Sequence, residues 1–218
     1  MERTTTVLWD WNGTLLDDVE LCASLLDRLL EAHGYPPLGS LEAYRGVFRF
    51  PIVEYYRDAG FDLERHPFEQ LAREYMDLYL PESEACPLMP QARAALEAVR
   101  SLGLRQVILS ASPVDTLRRQ VKARDVAPYF EQLLGLGDIY AHSKVELGRD
   151  WMRRSDIRPG QALMVGDSVH DFEVAQAMGA RCVLYSGGHQ PRAALQATGA
   201  PVIGSLLELP ELLRATNG

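Results

Sequence analysis

Three carboxylic acids in this chain stand where they could do chemistry. Asp10 lies in the run Asp10-Trp11-Asn12-Gly13-Thr14, and Asp167 and Asp171 share the run Gly166-Asp167-Ser168-Val169-His170-Asp171. Each run follows a short apolar stretch that reads as a β-strand, so the acids fall at strand ends. Ser110 closes a similar stretch, and Lys144 opens the helix that follows another. In an open parallel sheet the carboxyl ends of the strands gather on one edge, and ligands bind outside it. Three carboxylates brought together there repel unless a hard cation sits among them, and oxygen ligands with retained water suit Mg²⁺. A metal held by carboxylates beside an ammonium and a hydroxyl is an arrangement that handles phosphate.

The elements that must position these residues are readable. Strand candidates cover residues 5–10, 106–110, 132–136, 162–166 and 181–185. After about residue 88 they alternate with helices, the pattern of a parallel α/β sheet. The helix over residues 90–102 has Pro90 near its first turn, Ala92, Leu96, Val99 and Leu102 on one face, and Gly103 just past its end. Further helices span residues 113–123, 171–178 (closing at Gly179) and 191–198 (closing at Gly199). Residues 15–88 break the alternation, with helical patterns at 17–33, 51–59 and 68–80 and no good strand. Hinge-like stretches at 14–18 and 81–90 bound this block. The expected architecture is a Rossmann-like parallel α/β core from residues 1–14 and 89–218, with an inserted all-helical cap domain over 15–88 acting as a lid.

Composition narrows the function. The 218 residues are 47% hydrophobic and 24% charged, and 22 Lys plus Arg against 30 Asp plus Glu leave a net charge of −8. Such an acidic balance without a basic stretch argues against nucleic acid and anionic membranes as partners. No apolar run reaches membrane-spanning length and the first residues lack a secretory pattern, so a cytoplasmic monomer or homodimer is expected. Cys22, Cys86 and Cys182 are odd in number and widely spaced, which suits reduced thiols rather than a disulfide framework or thiolate zinc site. Only two of the 22 cationic residues are lysines, Lys122 and Lys144, so a lysine at the head of a helix beside the acids reads as a chosen point charge.

In order and spacing, the segments around Asp10, Ser110, Lys144 and Asp167 resemble the four motifs of the haloacid dehalogenase-like superfamily across the whole chain. The helical insert between the first two is similar to that of the subclass containing phosphoglycolate phosphatase and β-phosphoglucomutase. The resemblance implies a Mg²⁺-dependent phosphatase acting on a small phosphorylated metabolite. Asp10 would be the nucleophile that becomes an aspartyl phosphate. Ser110 would contact a phosphoryl oxygen, Lys144 would neutralise charge, and backbone N–H groups at Ala111 and in the turn from Asp10 to Asn12 would complete the cradle. The metal would be held by Asp10, the backbone carbonyl of Asn12, Asp167 and Asp171, the last directly or through water.

One departure stands out. Phosphatases of this superfamily usually carry a second Asp two residues after the nucleophile as general acid and base, and here that position is Asn12. An amide cannot exchange a proton at neutral pH. Its presence should slow the hydrolysis of ordinary alkyl phosphates by about 10²–10⁴. Three readings stay open. The substrates have good leaving groups, such as acyl, enol or aryl phosphates; or His170, His142, His189 or a cap residue supplies the proton; or the protein binds phosphorylated ligands and barely turns over. A phosphomutase is a further alternative. The complete run from Asp167 to Asp171 favours phosphoryl chemistry over metal-free dehalogenation. Ser112, before Pro113, reads as a helix N-cap. In the stretch from Tyr44 to Arg49, which sits where related caps carry a glycine-containing loop, Arg45 and Arg49 are candidates to meet a second anionic group of the substrate.

Overall fold

The computed structural model describes residues 2–137 and 144–217. Its first strand, β1 (Thr6–Trp9), is buried along its whole length, as a strand covered on both faces must be. Parallel to it run β2 (Arg105–Pro113), β3 (Gln132–Leu136), β4 (Ala162–Gly166), β5 (Arg181–Tyr185) and β6 (Val202–Ile203). Among the described residues the sheet order is β3-β2-β1-β4-β5-β6. The chain winds outward from β1 in one direction and then in the other, so β1 and β4 flank the switch point where such sheets open a crevice. Register brings Leu8 level with both Val107 and Met164, and Trp9 level with Val165. Asp10 and Asp167 therefore leave the sheet as neighbours.

Among the described residues, five helices intervene between β1 and β2, and the first four form the inserted block: α1 (Val19–Ala32), α2 (Leu41–Val47), α3 (Ile52–Asp58) and α4 (Phe68–Ser83). They are followed by α5 (Ala92–Ser101), α6 (Val114–Ala123), α7 (Lys144–Arg154), α8 (Val169–Met178), α9 (Arg192–Gln196) and α10 (Glu208–Asn217). The apolar stripe of α1, including Cys22, Leu25, Leu26 and Leu29, is buried, and α1 packs on α4. The two connections to this helical block run side by side. Met89 N–H donates to Leu15 at 2.8 Å and Asp17 N–H to Pro87 at 2.9 Å, and Leu16 bridges Leu88. Among the described residues no helix is long and apolar enough to cross a membrane. The three cysteines are free.

Several boundaries differ from the sequence expectation. The stretch expected to be a loop around Arg45 and Gly46 is the helix α2, capped by the Ser40 hydroxyl, which accepts from Ala43 N–H at 3.1 Å. The expected hinge at 81–90 starts later, because α4 continues through Pro81 to Ser83. Pro81 has no N–H to donate to the carbonyl four residues back, so that helix bond is missing, and α4 ends two residues later. Ser112 is not a helix cap, since β2 extends to Pro113 and α6 has no side-chain cap. The short β6 and the terminal α10 carried too weak a pattern to be singled out.

Buried side chains lie on both sides of the sheet. Val7 and Trp9 join one apolar cluster with α1, α5 and α10, and Leu8 joins a second with Met164, Val174 and Trp151. Both tryptophans beside Asp10 are anchored by buried glutamines. Trp9 Nε1 donates to Gln106 Oε1 at 2.9 Å and Trp11 Nε1 to Gln120 Oε1 at 2.8 Å. On α5, Leu96 is fully buried and its carbonyl accepts from the Gln106 amide at 3.0 Å. Leu96→Ala should lower stability by about 2–5 kcal/mol. Thermal unfolding should record this as a fall in Tm of about 5–15 °C, and an unchanged Tm would refute the packing described.

Candidate active site

Asp10 follows β1 directly, and its backbone N–H donates to Val165 O at 2.8 Å, which ties it to the neighbouring strand. The chain then turns sharply through Gly13, whose φ of +68° is left-handed. A Cβ there would stand 2.4 Å from the His189 ring and 2.6 Å from an Asp167 oxygen, so conformation and space both require glycine. Gly188 serves similarly on the far wall, where a Cβ would lie 2.2 Å from Asp167 Oδ2.

Lys144 Nζ bridges two acids, donating to Asp10 Oδ1 and Asp171 Oδ1 at 2.6 Å each. All three groups are at most 6% exposed. The second oxygen of Asp171 accepts from Ser168 N–H at 3.0 Å and Ser168 Oγ at 2.6 Å, completing a capping box at the start of α8. Asp167 Oδ1 accepts from the Thr14 hydroxyl at 3.0 Å and Oδ2 from His189 N–H at 2.6 Å. Ligand-capable oxygens of Asp10, Asp167 and Asp171 all lie within 4.8 Å of one another.

This crowding shows in the proton affinities. Burial, opposed by Lys144 but reinforced by Asp171 and Asp167, pushes the Asp10 carboxyl up to about 8. Burial, with Asp171 adding, raises Asp167 to about 6. Burial would also raise Asp171, but Lys144 and the Ser168 hydroxyl outweigh it and hold it below the usual range. Burial alone would pull the Lys144 ammonium down, and the two carboxylates beside it more than reverse that. One ammonium among three buried carboxylates leaves negative charge uncompensated. The donor set is all oxygen, so these residues fit a hard divalent cation.

A second network faces the first. The Asn12 side-chain carbonyl accepts from Ser112 Oγ at 2.6 Å, and its amide donates to Asp18 Oδ2 at 2.8 Å and to the Tyr79 hydroxyl oxygen at 2.6 Å. Tyr79 O–H donates onward to Asp18 Oδ2 at 2.7 Å. The other Asp18 oxygen accepts from Gly13 N–H at 2.9 Å and stands 3.4 Å from His189 Nε2. His189 Nδ1 meets the Tyr44 hydroxyl at 2.8 Å. Burial would raise Asp18, yet the contacts with His189, Asn12 and Tyr79 prevail and its carboxyl is lowered. Burial would lower His189, and pairing with Asp18 reverses that. An ionised Asp18 accepts only, so it dictates that the residue facing it at position 12 be a donor.

The sequence-predicted residues fall in different places. Asp10, Asn12, Ala111, Lys144, Asp167 and Asp171 line one cavity of about 190 Å³. His170 and His189 line it too. Ser110 is fully buried behind it, its Oγ accepting from Ser112 N–H at 3.0 Å, while Ser112 itself reaches the cavity. Arg45 and Arg49 do not line it. Arg45 donates to the carbonyls of Gly188 and Gly187 at 2.9 and 3.1 Å, and Arg49 pairs with Asp58 at 2.7 Å. The placement of Arg45 follows from α2, which turns its guanidinium toward the backbone after β5. His142 lies outside the described residues. Asp18, Tyr79 and Ser112 carry more of the site than their sequence context signalled. The doubled acid Asp17-Asp18, one turn past Asn12, was the available clue.

A parallel sheet with a carboxylate cluster at its switch point and helices inserted after its first strand defines a doubly wound α/β protein with an acidic site at its strand ends. The sequence pattern of the haloacid dehalogenase-like hydrolases matches residues 7–185, and the chain belongs to that family. It is similar to the phosphoglycolate phosphatase of Pseudomonas putida, 29% identical over 191 residues that cover 84% of this chain and 70% of the relative. The phosphoglycolate phosphatase of Rhodobacter capsulatus is 26% identical, with 84% of this chain and 85% of that one covered. Among solved structures, a haloacid dehalogenase-like hydrolase from Streptococcus pneumoniae has the same fold, with a TM-score of 0.82, 18% identity, and 96% and 98% of the two chains covered. A mutant of CbbY from Rhodobacter sphaeroides in complex with xylulose-1,5-bisphosphate superposes with a TM-score of 0.68 at 19% identity, covering 94% and 96%.

The Asn12 and Asp18 pair makes a testable demand. In Asn12→Asp two buried carboxylates would stand in contact, a loss of about 1–3 kcal/mol or a fall in Tm of about 2–10 °C at neutral pH without metal. The double variant Asn12→Asp/Asp18→Asn restores a donor–acceptor pair and should recover most of it. Additive losses in the double variant would show that the two residues are not coupled.

Proposed function

We propose that this chain is a Mg²⁺-dependent phosphomonoester hydrolase that works through an aspartyl phosphate on Asp10. Residues 1–14 and 89–218 form its catalytic core, and residues 15–88 form a helical cap over the site. The observation that carries this reading is the Lys144 bridge between Asp10 and Asp171, with Asp167 in the same cluster.

Asp10 Oδ attacks phosphorus, the phosphorus–oxygen ester bond breaks, and its electron pair leaves with the alcohol oxygen. Water then attacks the phosphorus of the acyl phosphate, and the products are the alcohol, inorganic phosphate and the original carboxylate. Lys144 holds Asp10 in place and meets the negative phosphoryl oxygens, worth about 10²–10³ in rate for such a contact. Ser110, buried behind the cavity, accepts from Ser112 N–H and so fixes the turn that carries Ala111 and Ser112 to the cavity. The backbone at Ala111 adds a donor. Asp10, the Asn12 carbonyl, Asp167 and Asp171 would hold Mg²⁺, which supplies Lewis-acid stabilisation of phosphoryl charge and relieves the crowding of the acids. Asn12, held by Ser112, Asp18 and Tyr79, shapes the site beside the ester oxygen but gives it no proton. The cap closes the cavity against water, and the substrate is a small phosphorylated molecule.

Release of inorganic phosphate from a panel of alkyl, aryl and acyl phosphates tests this. Release should require Mg²⁺ and vanish with EDTA. Asp10→Asn should lower kcat by about 10³-fold or more, and Lys144→Met by about 10²–10³. Release that persists in Asp10→Asn would sink the nucleophile, and no Mg²⁺-dependent release from any substrate would sink the phosphatase.

A further inference from the structure

The cavity beside Asp10 has an unusual wall. Away from the carboxylates it is formed by the inserted helices and the segment joining α2 and α3, through Phe50, Ile52, Tyr55, Phe68, Tyr75 and Met76. Among the described residues that line it, the cationic side chains are limited to Lys144 and the two histidines, all on the core side. Arg45 and Arg49, the arginines the sequence suggested for a second anionic group, are committed elsewhere, Arg45 to backbone carbonyls and Arg49 to Asp58. The hydroxyls of Tyr79 and Tyr44 are likewise engaged, with Asp18 and His189. The aromatic wall is also tied to the core, since Phe48 stacks on His189 at 4.7 Å and Phe50 on His170 at 4.4 Å.

A carboxylate on the substrate would have to be buried against these rings with no cation beside it and only the unpartnered Tyr55 hydroxyl as a donor, which is unfavourable. An uncharged ring fits. An apolar cavity of roughly 150 Å³ admits benzene, so the 190 Å³ found here, which the phosphoryl group must share, holds at most one ring beside it. The amide at position 12 points the same way independently. It gives the leaving oxygen no proton, and a phenol, acidic like the tyrosine side chain at about 10, departs as its anion far more readily than an alkoxide does.

From the aromatic, cation-free wall facing Asp10 and the amide of Asn12, we propose that the substrate is an uncharged aryl phosphate monoester, whose ring occupies the pocket between α3 and α4. This rests on the phosphatase reading above. In the reaction the aryl oxygen–phosphorus bond breaks, the phenolate leaves and takes a proton from solvent, and water returns Asp10 to its starting form. A substrate such as 2-phosphoglycolate, with its second negative charge, is disfavoured by this wall.

The experiment compares kcat/KM for phenyl phosphate, hexyl phosphate, 2-phosphoglycolate and acetyl phosphate in the Mg²⁺-loaded protein. Phenyl phosphate should exceed 2-phosphoglycolate by about 30- to 100-fold, the worth of burying one ring. It should exceed hexyl phosphate by about 10²-fold or more, the lower end of what general acid help is worth. In Met76→Lys, checked for folding by circular dichroism, the ratio of phenyl phosphate to 2-phosphoglycolate should fall at least about tenfold, the effect of one new charged contact. Calorimetric titration of the Asp10→Asn protein should show tighter binding of phenyl phosphate than of 2-phosphoglycolate. Equal or better turnover of 2-phosphoglycolate, or hexyl phosphate matching phenyl phosphate, overturns the inference while leaving the phosphatase standing. Failure to release phosphate even from acetyl phosphate overturns the phosphatase itself.

Discussion

The constraint on which the rest depends is the burial of three carboxylates with a single ammonium. Asp10, Asp167 and Asp171 are each at most 6% exposed, and Lys144 reaches only two of them. Buried charge without compensation costs several kcal/mol per ion, so the fold must spend backbone and side-chain donors to keep these groups ionised and in place. It does so unevenly. Asp171 receives the α8 N-terminus as well as Lys144 and stays below the usual carboxylate range, whereas Asp10, left with fewer donors, rises to about 8. Asp10 is thus the least satisfied of the three. Near neutral pH it therefore keeps its proton more readily than its neighbours do, and a hard cation among the acids would favour its ionised form.

The surrounding architecture reads as a set of devices for holding Asp10 still. β1 lies in the middle of the sheet, paired on both sides, and the indoles before and after Asp10 end on buried glutamines. Gln120 passes the anchoring on to the inserted helices through the Ser83 hydroxyl at 3.0 Å. One polar chain therefore links the turn after β1, the helix after β2 and the end of α4. Buried polar groups satisfied in this way fix one arrangement, because every alternative would leave a donor unpaired. The same logic holds for Asn12, whose amide is clamped by a hydroxyl on one side and a carboxylate on the other.

Much of this was legible in the sequence, for physical reasons. Strand ends are marked by the change from apolar runs to polar turns, and a parallel sheet collects those ends at one edge. Asp10, Lys144, Asp167 and Asp171 could therefore be gathered from positions up to 161 residues apart. The strands over residues 132–136, 162–166 and 181–185 match their observed limits, and the middle one is buried along its whole length, as an unbroken apolar run between two covered faces must be. What escaped depends on contacts between distant segments. Asp18 falls in the first turn of the helix expected over residues 17–33, where any acid is favoured by the helix dipole, and nothing in that context signals that Asn12, Gly13 and Tyr79 bind its carboxylate. His189 follows two glycines whose lack of side chains lets its backbone close on Asp167, a proximity no spacing rule encodes. Arg45 was expected to face the site because residues 44–49 were read as a loop, and the helix turned it away.

The Asn12 and Asp18 pair changes how the missing acid is understood. Taken alone, an amide in place of a carboxylate looks like a loss of function at an otherwise complete site. Here the carboxylate has not vanished from the site. It stands at position 18, one hydrogen bond beyond the amide, buried and held in its ionised form by Tyr79, Gly13 and His189. A carboxylate at both positions would repel, so a donor at position 12 is what an acid at position 18 demands. The two residues form one unit, joined by Tyr79 to α4 and by His189 to the loop after β5. A group held in so many bonds is better suited to fixing geometry than to handing a proton to a leaving oxygen. That arrangement is at its most effective where the leaving group needs orientation more than protonation, which is also the chemistry that the uncharged aromatic wall admits.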